Sequence, residues 1–163
     1  MHVTIRPAYA CDGPPCADIY RPIVADTIIS FEETPPDGAA MGARIENTRA
    51  THPWLCASDE SGIVGYAYAS PHRERAGYRY SVNVSVYVAA HVRGKSVGTR
   101  LYQALFAELE KAGFHRAFAG VTLPNDASVA LHTKLGFSVV GTYHEVGYKF
   151  GKWLDVMWLE RSI

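Results

Sequence analysis

The sequence predicts an α/β protein with a mixed, mostly antiparallel central sheet flanked by helices, and three observations carry this prediction. Apolar and polar residues alternate over 80–88, which indicates a strand with one polar face. Apolar residues recur every four positions from Val97 to Leu109, which indicates an amphipathic helix that Gly113 ends. Strand-like and helix-like segments then alternate, as is typical of α/β proteins. A length of 163 residues predicts a single domain, 1–163.

The first half of the chain is typical of a strand, two helices and a β-hairpin. Turn-forming residues over 59–62 separate two apolar segments, which is the usual signal of a hairpin. Proline-rich sequence within 28–36 predicts a loop between the helices. The expected elements are a strand at 3–5, helices at 19–24 and 40–49, and hairpin strands at 54–58 and 63–69.

The second half begins with the strand at 80–88 and the helix that starts near Val97, joined by a short loop. Gly136 closes a further helical segment, because glycine commonly ends helices. The expected elements after the long helix are a strand at 117–123, a helix at 127–135, and two last strands at 137–143 and 153–159.

Composition excludes several classes of protein. Sixteen basic and sixteen acidic residues leave no net charge and no basic stripe for nucleic acid. A hydrophobic content of 48% supports a core and argues against disorder. No apolar segment approaches the roughly 20 residues of a membrane span. Three cysteines form no disulfide framework, and the N-terminus has no signal-peptide core, so we expect reduced thiols and a cytoplasmic protein.

The most informative segment is the basic, small-residue loop before the helix that begins near Val97. Such a junction points free backbone N–H groups and the positive end of the helix dipole at one place, which favours a phosphate or diphosphate. A Walker loop using Gly94-Lys95-Ser96 would need a glycine at the position of Ala89. An ordinary tight turn with a solvated basic face is the other interpretation.

The loop resembles the acetyl-CoA loop of the GNAT superfamily of N-acetyltransferases, whose pattern is Q/R-x-x-G-x-G/A. Arg93 and Gly98 match its ends, while Ser96 replaces its internal glycine. The segment 125–137 is similar to a second superfamily pattern, N-x-x-A/S-x-x-L/F-Y/H-x-x-x-G-F. The resemblance implies the GNAT fold and acetyl-CoA as cosubstrate, bound by Val86, Tyr87, Val88, Arg93, Gly94, Lys95, Ser96, Val97, Gly98, Thr99 and Asn125. Asn125 alternatively caps the helix that follows it.

Four segments, 31–36, 85–88, 123–126 and 147–156, resemble the phosphinothricin and methionine sulfoximine N-acetyltransferases within that superfamily. The resemblance implies a homodimer, resistance to such compounds, and transfer of acetyl to the amine of a small amino-acid-like acceptor. Phosphinothricin, methionine sulfoximine and arsinothricin are examples of such acceptors. The substrate-binding residues that it implies are Phe31, Arg73, Glu74, Arg75, Asn83, Val84, Ser85 and Lys149.

Acetyl transfer needs a neutral amine and a proton source for the leaving thiolate. Asn83 stands where the subfamily usually has a glutamate base, and it cannot accept a proton. It could position the amine or a relay water, or simply be a polar residue on an open strand face. Glu32 or Glu33 would be the base if their loop folds over the site, and otherwise they are solvated carboxylates. His132 is the candidate general acid, or else a helix histidine beside the pocket.

Arg73 and Arg75 have guanidinium groups suited to an anionic acceptor, although both could lie on a surface hairpin. An α-amine, with a pKa of roughly 8, costs about 1.4 kcal/mol to deprotonate at pH 7, whereas a lysine amine near ~10.4 costs about 4.6 kcal/mol. A missing base is therefore easier to tolerate with an α-amine. No histidine or cysteine spacing indicates a metal site. A non-catalytic acyl-CoA-binding module, or acetylation of a protein N-terminus or a polyamine, remain as alternative functions.

Overall fold

Residues 2–163, the part of the chain that the computed structural model describes, form a seven-stranded mixed sheet flanked by helices. This confirms the predicted fold class. Short 3-10 turns lie at Ala10–Asp12, Ala76–Tyr78 and Ala90–Val92. The other elements are β1 (Thr4–Pro7), α1 (Gly13–Asp26), α2 (Gly38–Arg49), β2 (Trp54–Asp59), β3 (Gly62–Pro71), β4 (Ser81–Val88), α3 (Val97–Lys111), β5 (Arg116–Thr122), α4 (Asp126–Lys134), β6 (Ser138–Lys149) and β7 (Lys152–Ser162).

The strand order is β1-β2-β3-β4-β5-β7-β6, and within it β4 and β5 run parallel while the other neighbours are antiparallel. The parallel pair is short. Its register joins Ser81 to Arg116, Val82 to Ala117, and Asn83 to Phe118. Beyond that last pair, β4 continues to Val88 and β5 to Thr122 without pairing with each other, so the middle of the sheet opens into a cleft.

Hydrophobic clusters cover both faces of the sheet. On one face, α3 buries Leu101, Leu105 and Leu109 completely, so the four-residue period points at the sheet as predicted. On the other face, α1 and α2 pack Ile23 and Ile45 over a different cluster. Each fully buried aliphatic side chain contributes about 2 kcal/mol by leaving water. Among the described helices, none is both long and apolar enough to cross a lipid bilayer.

The predicted bounds of the last two strands were wrong, because β6 and β7 extend toward each other into a long hairpin. The sequence predicts strands at 137–143 and 153–159, whereas the observed strands are Ser138–Lys149 and Lys152–Ser162. Phe150 and Gly151, both with positive φ, form the turn. The hairpin tip contributes little to the core, and its aromatic side chains are exposed, so no buried face marks these residues as a strand.

Candidate functional site

The cleft between β4 and β5 is a cavity of about 510 Å³. Its walls come from residues 86–88 of β4, the loop and first turn of α3, and α4. Ile23 at the end of α1 and Ile29 in the loop after it close the remaining side. The glycine loop and the second motif, which are some 30 residues apart in the sequence, therefore face each other across one cleft.

The loop before α3 presents unpaired main-chain amides to this cleft. Ser96 adopts φ 62° and Gly94 adopts φ 77°, both in the left-handed region. A serine there costs about 1 kcal/mol relative to a glycine. Within residues 2–163, no acceptor takes a hydrogen bond from the N–H groups of Gly94, Ser96, Val97, Gly98 or Thr99. These donors, with the helix dipole behind them, suit a diphosphate.

The basic side chains around the loop are not equivalent. Arg93 lines the cleft, whereas the exposed Lys95 does not. Arg100 turns away, and its guanidinium donates to the carbonyl oxygen of Val3 at 2.7 Å. The positive end of α3 and Arg93 therefore supply the local charge for an anionic ligand.

Asn125 combines the two interpretations that the sequence left open. Its Oδ1 accepts a hydrogen bond from the Ser128 N–H at 3.1 Å, so the side chain caps α4. The same residue also lines the cleft. In the described part of the chain, its amide NH2 group donates to no partner, so it remains available to a ligand.

His132 is a residue of α4 whose ring faces Tyr102 of α3, and it is not among the residues that line the cleft. Its ring is 4% exposed and meets Phe137 edge-on. Nδ1 lies 2.7 Å from the Ser128 carbonyl oxygen, which only accepts, so Nδ1 donates and Nε2 accepts from the Tyr102 hydroxyl at 3.0 Å. Burial lowers the pKa of His132. Both nitrogens are engaged, and the geometry adds no support for a general acid here.

The polar face of β4 points to the same side of the sheet as the polar residues of β3. The register pairs Ser70 with Asn83 and Tyr68 with Ser85, so these side chains share the face that α1 and α2 cover only in part. Val84 points the opposite way and is buried in the cluster under α3. Its side chain therefore lies away from this face, and only its main chain is near the acceptor side.

A second cavity, of about 550 Å³, opens on this polar face beside the last β4–β5 pair. Asn83 and Arg73 line it, with Phe118 and Trp158 from the neighbouring strands. Glu74 and Arg75 are exposed and are not part of its lining. His72, which no sequence pattern singles out, also lines this cavity, because only the β3–β4 register brings it to Asn83.

The loop between α1 and α2 is fixed from two sides. Lys149 of β6 is 4% exposed, and its Nζ donates to the carbonyl oxygens of Val24, Thr27 and Ser30 at 2.6 to 2.8 Å. The ammonium group is therefore occupied by the loop. Phe31 packs its ring against Gly147 of β6, where any side chain would clash.

Glu32, the loop carboxylate considered as a base, is held in place. Arg44 donates to both of its oxygens, at 2.6 and 2.9 Å, and the Tyr20 hydroxyl donates to it as well. The hydrogen bonds from Arg44 hold the pKa of Glu32 below its ordinary value. Glu33 is exposed. In residues 2–163, no group of three or more His, Cys, Asp or Glu side chains is arranged to hold a metal ion.

Comparison with known proteins gives consistent matches over the whole chain. Residues 22–137 match the acetyltransferase (GNAT) family. The phosphinothricin N-acetyltransferase of Streptomyces coelicolor is 38% identical over 175 aligned residues, which cover 99% of this chain and 96% of the relative. The L-methionine sulfoximine/L-methionine sulfone acetyltransferase of Pseudomonas paraeruginosa is 38% identical over 165 residues, with 100% and 96% covered. A solved phosphinothricin acetyltransferase from Sinorhizobium meliloti, in complex with AcCoA, superposes with a TM-score of 0.94 at 36% identity, covering 100% of this chain and 89% of that one.

Proposed function

This chain belongs to the GNAT acetyltransferase family and is an acetyl-CoA-dependent N-acetyltransferase, and we propose that its acceptor is the α-amine of a small, anionic, amino-acid-like compound. The observation that carries the proposal is the cavity beside Asn83, with Arg73 on its wall. Guanidinium forks suit carboxylate and phosphinate groups. Relatives are named for phosphinothricin and for methionine sulfoximine, both amino-acid analogues. Arsinothricin is likewise an anionic amino-acid analogue with an α-amine.

For the cosubstrate, we propose that the free amides of Gly94 and of residues 96–99 hold the diphosphate of acetyl-CoA. Arg93 adds charge, and the Asn125 amide donates to the pantetheine arm. The main chain of 86–88, which pairs with β3 but not with β5, then meets the arm along its free edge. Asn83 and Val86 are three residues apart, about 10 Å along a strand. The reacting thioester can thus be reached from the acceptor cavity.

A thiol-release assay with acetyl-CoA and a panel of amines tests the acceptor class. We expect turnover with phosphinothricin or methionine sulfoximine to exceed turnover with a polyamine or an N-terminal peptide. Arg73→Ala should raise the KM of an anionic acceptor about tenfold or more, because a charged hydrogen bond is lost. Arg75→Ala is the matched control, since Arg75 is exposed outside the cavity. Equal KM values in the two variants would contradict the assignment of the cavity.

We also propose that the homodimer expected for this subfamily forms through the β6–β7 hairpin. The supporting observation is a group of large apolar side chains along the hairpin, each more than half exposed: Val139, Val140, Tyr143, Val146, Tyr148, Phe150 and Trp153. Light scattering should give a dimer that Trp153→Ser weakens. A wild-type monomer at micromolar concentration would contradict this. The proposal includes the expected cytoplasmic location and a role in resistance to toxic analogues.

A further inference from the structure

His72 follows β3 directly and makes a short hydrogen bond to Asn83. Its Nδ1 lies 2.7 Å from Oδ1 of Asn83, the residue that stands where a carboxylate base is expected. An amide oxygen only accepts hydrogen bonds, so Nδ1 carries the proton and donates it. Nε2 of the neutral ring therefore has its lone pair free. Among the described residues, Nε2 has no hydrogen-bond partner.

The ring is held in one orientation by packing as well as by that hydrogen bond. Phe118 of β5 stacks on it with a centroid distance of 4.2 Å, and Trp158 of β7 meets it edge-on at 6.1 Å. Gly120 of β5 leaves room for the indole of Trp158, because a Cβ at residue 120 would lie only 3.2 Å from the indole ring. The ring is half-buried and lines the 550 Å³ cavity together with Asn83. Such a fixed imidazole matches what general-base catalysis requires.

We propose that His72 is the general base of this enzyme and that Asn83 is its positioning residue. The proposal rests on the proposed function, and it names the group that replaces a carboxylate at residue 83. Nε2 takes one proton from the ammonium group of the acceptor. The neutral nitrogen then bonds to the thioester carbonyl carbon while the carbon–sulfur bond breaks. The second proton lost by nitrogen ends on the departing CoA sulfur, and His72 returns its own proton to solvent.

Few charged or titratable groups surround the ring. Imidazole is the side chain that most readily exchanges a proton near neutral pH. One nearby carboxylate is neutralised: Glu160 of β7, the cross-strand neighbour of Phe118, is paired with Arg116 at 3.0 Å. The other titratable or charged groups facing the ring are Arg73 from its own segment, Tyr78 from the neighbouring 3-10 turn and Tyr143 of β6.

The test compares His72→Gln with the wild type in the thiol-release assay. We expect kcat at pH 7 to fall about 100-fold or more, because general bases contribute about 10² to 10⁴. KM for the acceptor and Kd for acetyl-CoA should change less than about threefold. The deficit should shrink above pH 9, where the amine loses its proton unaided. Added imidazole should restore part of the activity of His72→Ala.

Asn83 is tested by its own variants. Asn83→Ala should lower kcat, but by less than His72→Gln does. Asn83→Asp keeps an oxygen that accepts the hydrogen bond from Nδ1, so its kcat should return to that of the wild type. His115→Gln is the matched control, since His115 is exposed at the start of β5 and lies outside both cavities. A pH-independent deficit in His72→Gln, or an unchanged kcat, would overturn the proposal. A wild type inactive on every amine would instead overturn the proposed acceptor class.

Discussion

In the proposed active site, the cofactor side and the acceptor side differ in which atoms would do the binding. On the cofactor side, the free donors are the main-chain amides of Gly94 and of residues 96–99, in the loop and first turn of α3. On the acceptor side, the polar groups are the side chains of His72, Arg73 and Asn83 around an open cavity. A main-chain site depends on backbone conformation, whereas a side-chain site depends on residue identity.

This difference explains where the chain departs from the family pattern. Ser96 replaces a glycine and still takes φ 62°, so the amide direction is kept. Asn83 stands where the subfamily usually has a glutamate base, and an asparagine side chain cannot accept a proton in any backbone conformation. In our proposal the function moves to His72, which the β3–β4 register brings next to Asn83. The cofactor side therefore tolerates the replacement of a glycine by Ser96, because its amides still bind. On the acceptor side, the replacement by Asn83 requires another side chain, His72, to act as the base.

The largest expected effect on cofactor binding comes from removing an amide on the cofactor side. Gly98→Pro deletes one donor near the first turn of α3, where proline is tolerated. We expect Kd for CoA to rise about 10- to 100-fold, because a hydrogen bond to a charged group contributes about 1.5 to 3 kcal/mol. Calorimetric titration measures it. Gly98→Ala is the control, since an added Cβ meets neighbours only at 3.7 Å or more. Equal affinities in the two variants would show that the amide of residue 98 does not bind the diphosphate.

Asn125 tests whether a side chain contributes to the cofactor side at all. Asn125→Asp keeps the oxygen that caps α4 but loses the amide donor, so we expect unchanged stability and an affinity for CoA about five- to tenfold lower. Asn125→Ala should in addition lower the free energy of unfolding by about 1 kcal/mol. Full affinity in the aspartate variant would leave Asn125 as a helix cap alone.

A smaller effect is expected at Ser96. Ser96→Gly should raise the free energy of unfolding by up to about 1 kcal/mol, because glycine adopts positive φ without steric cost. Ser96→Val should lower it by at least as much, since a β-branched residue is disfavoured there. Chemical denaturation of both variants measures the difference. Identical stabilities would mean that this backbone conformation carries no strain.

The smallest effect concerns the loop between α1 and α2. The folded-state pKa of Glu32 lies below its ordinary value, so the stabilisation from its pair with Arg44 is complete above the unfolded pKa, near ~4.3, and is lost as pH falls through the folded pKa. Glu32→Gln should lower stability at pH 7 by about 0.5 kcal/mol, given partial exposure. The difference should vanish at acid pH, and Glu33→Gln serves as control. A deficit that persists at low pH would indicate lost packing instead.

Sequence patterns predicted what is local and missed what is distant. The loop before α3 is recognisable because its strand, glycines and amphipathic helix are consecutive residues. The contact of His72 with Asn83 depends on strand register, which alternation alone does not set. Lys149 was predicted to contact substrate, yet it binds carbonyl groups more than 100 residues earlier in the chain. No local pattern signals such a partner.

The short pairing of β4 with β5 has a further consequence for solubility. Beyond Asn83, both strands present main-chain edges of the kind that promote self-association between protein molecules. Here the edges lie inside the sheet, between β3 and β7, and α4 and the start of α3 line the cleft that they form. Strands at the rim of a sheet are the ones open to pairing with another molecule, so the protein keeps these unpaired edges without placing them at the rim of its sheet.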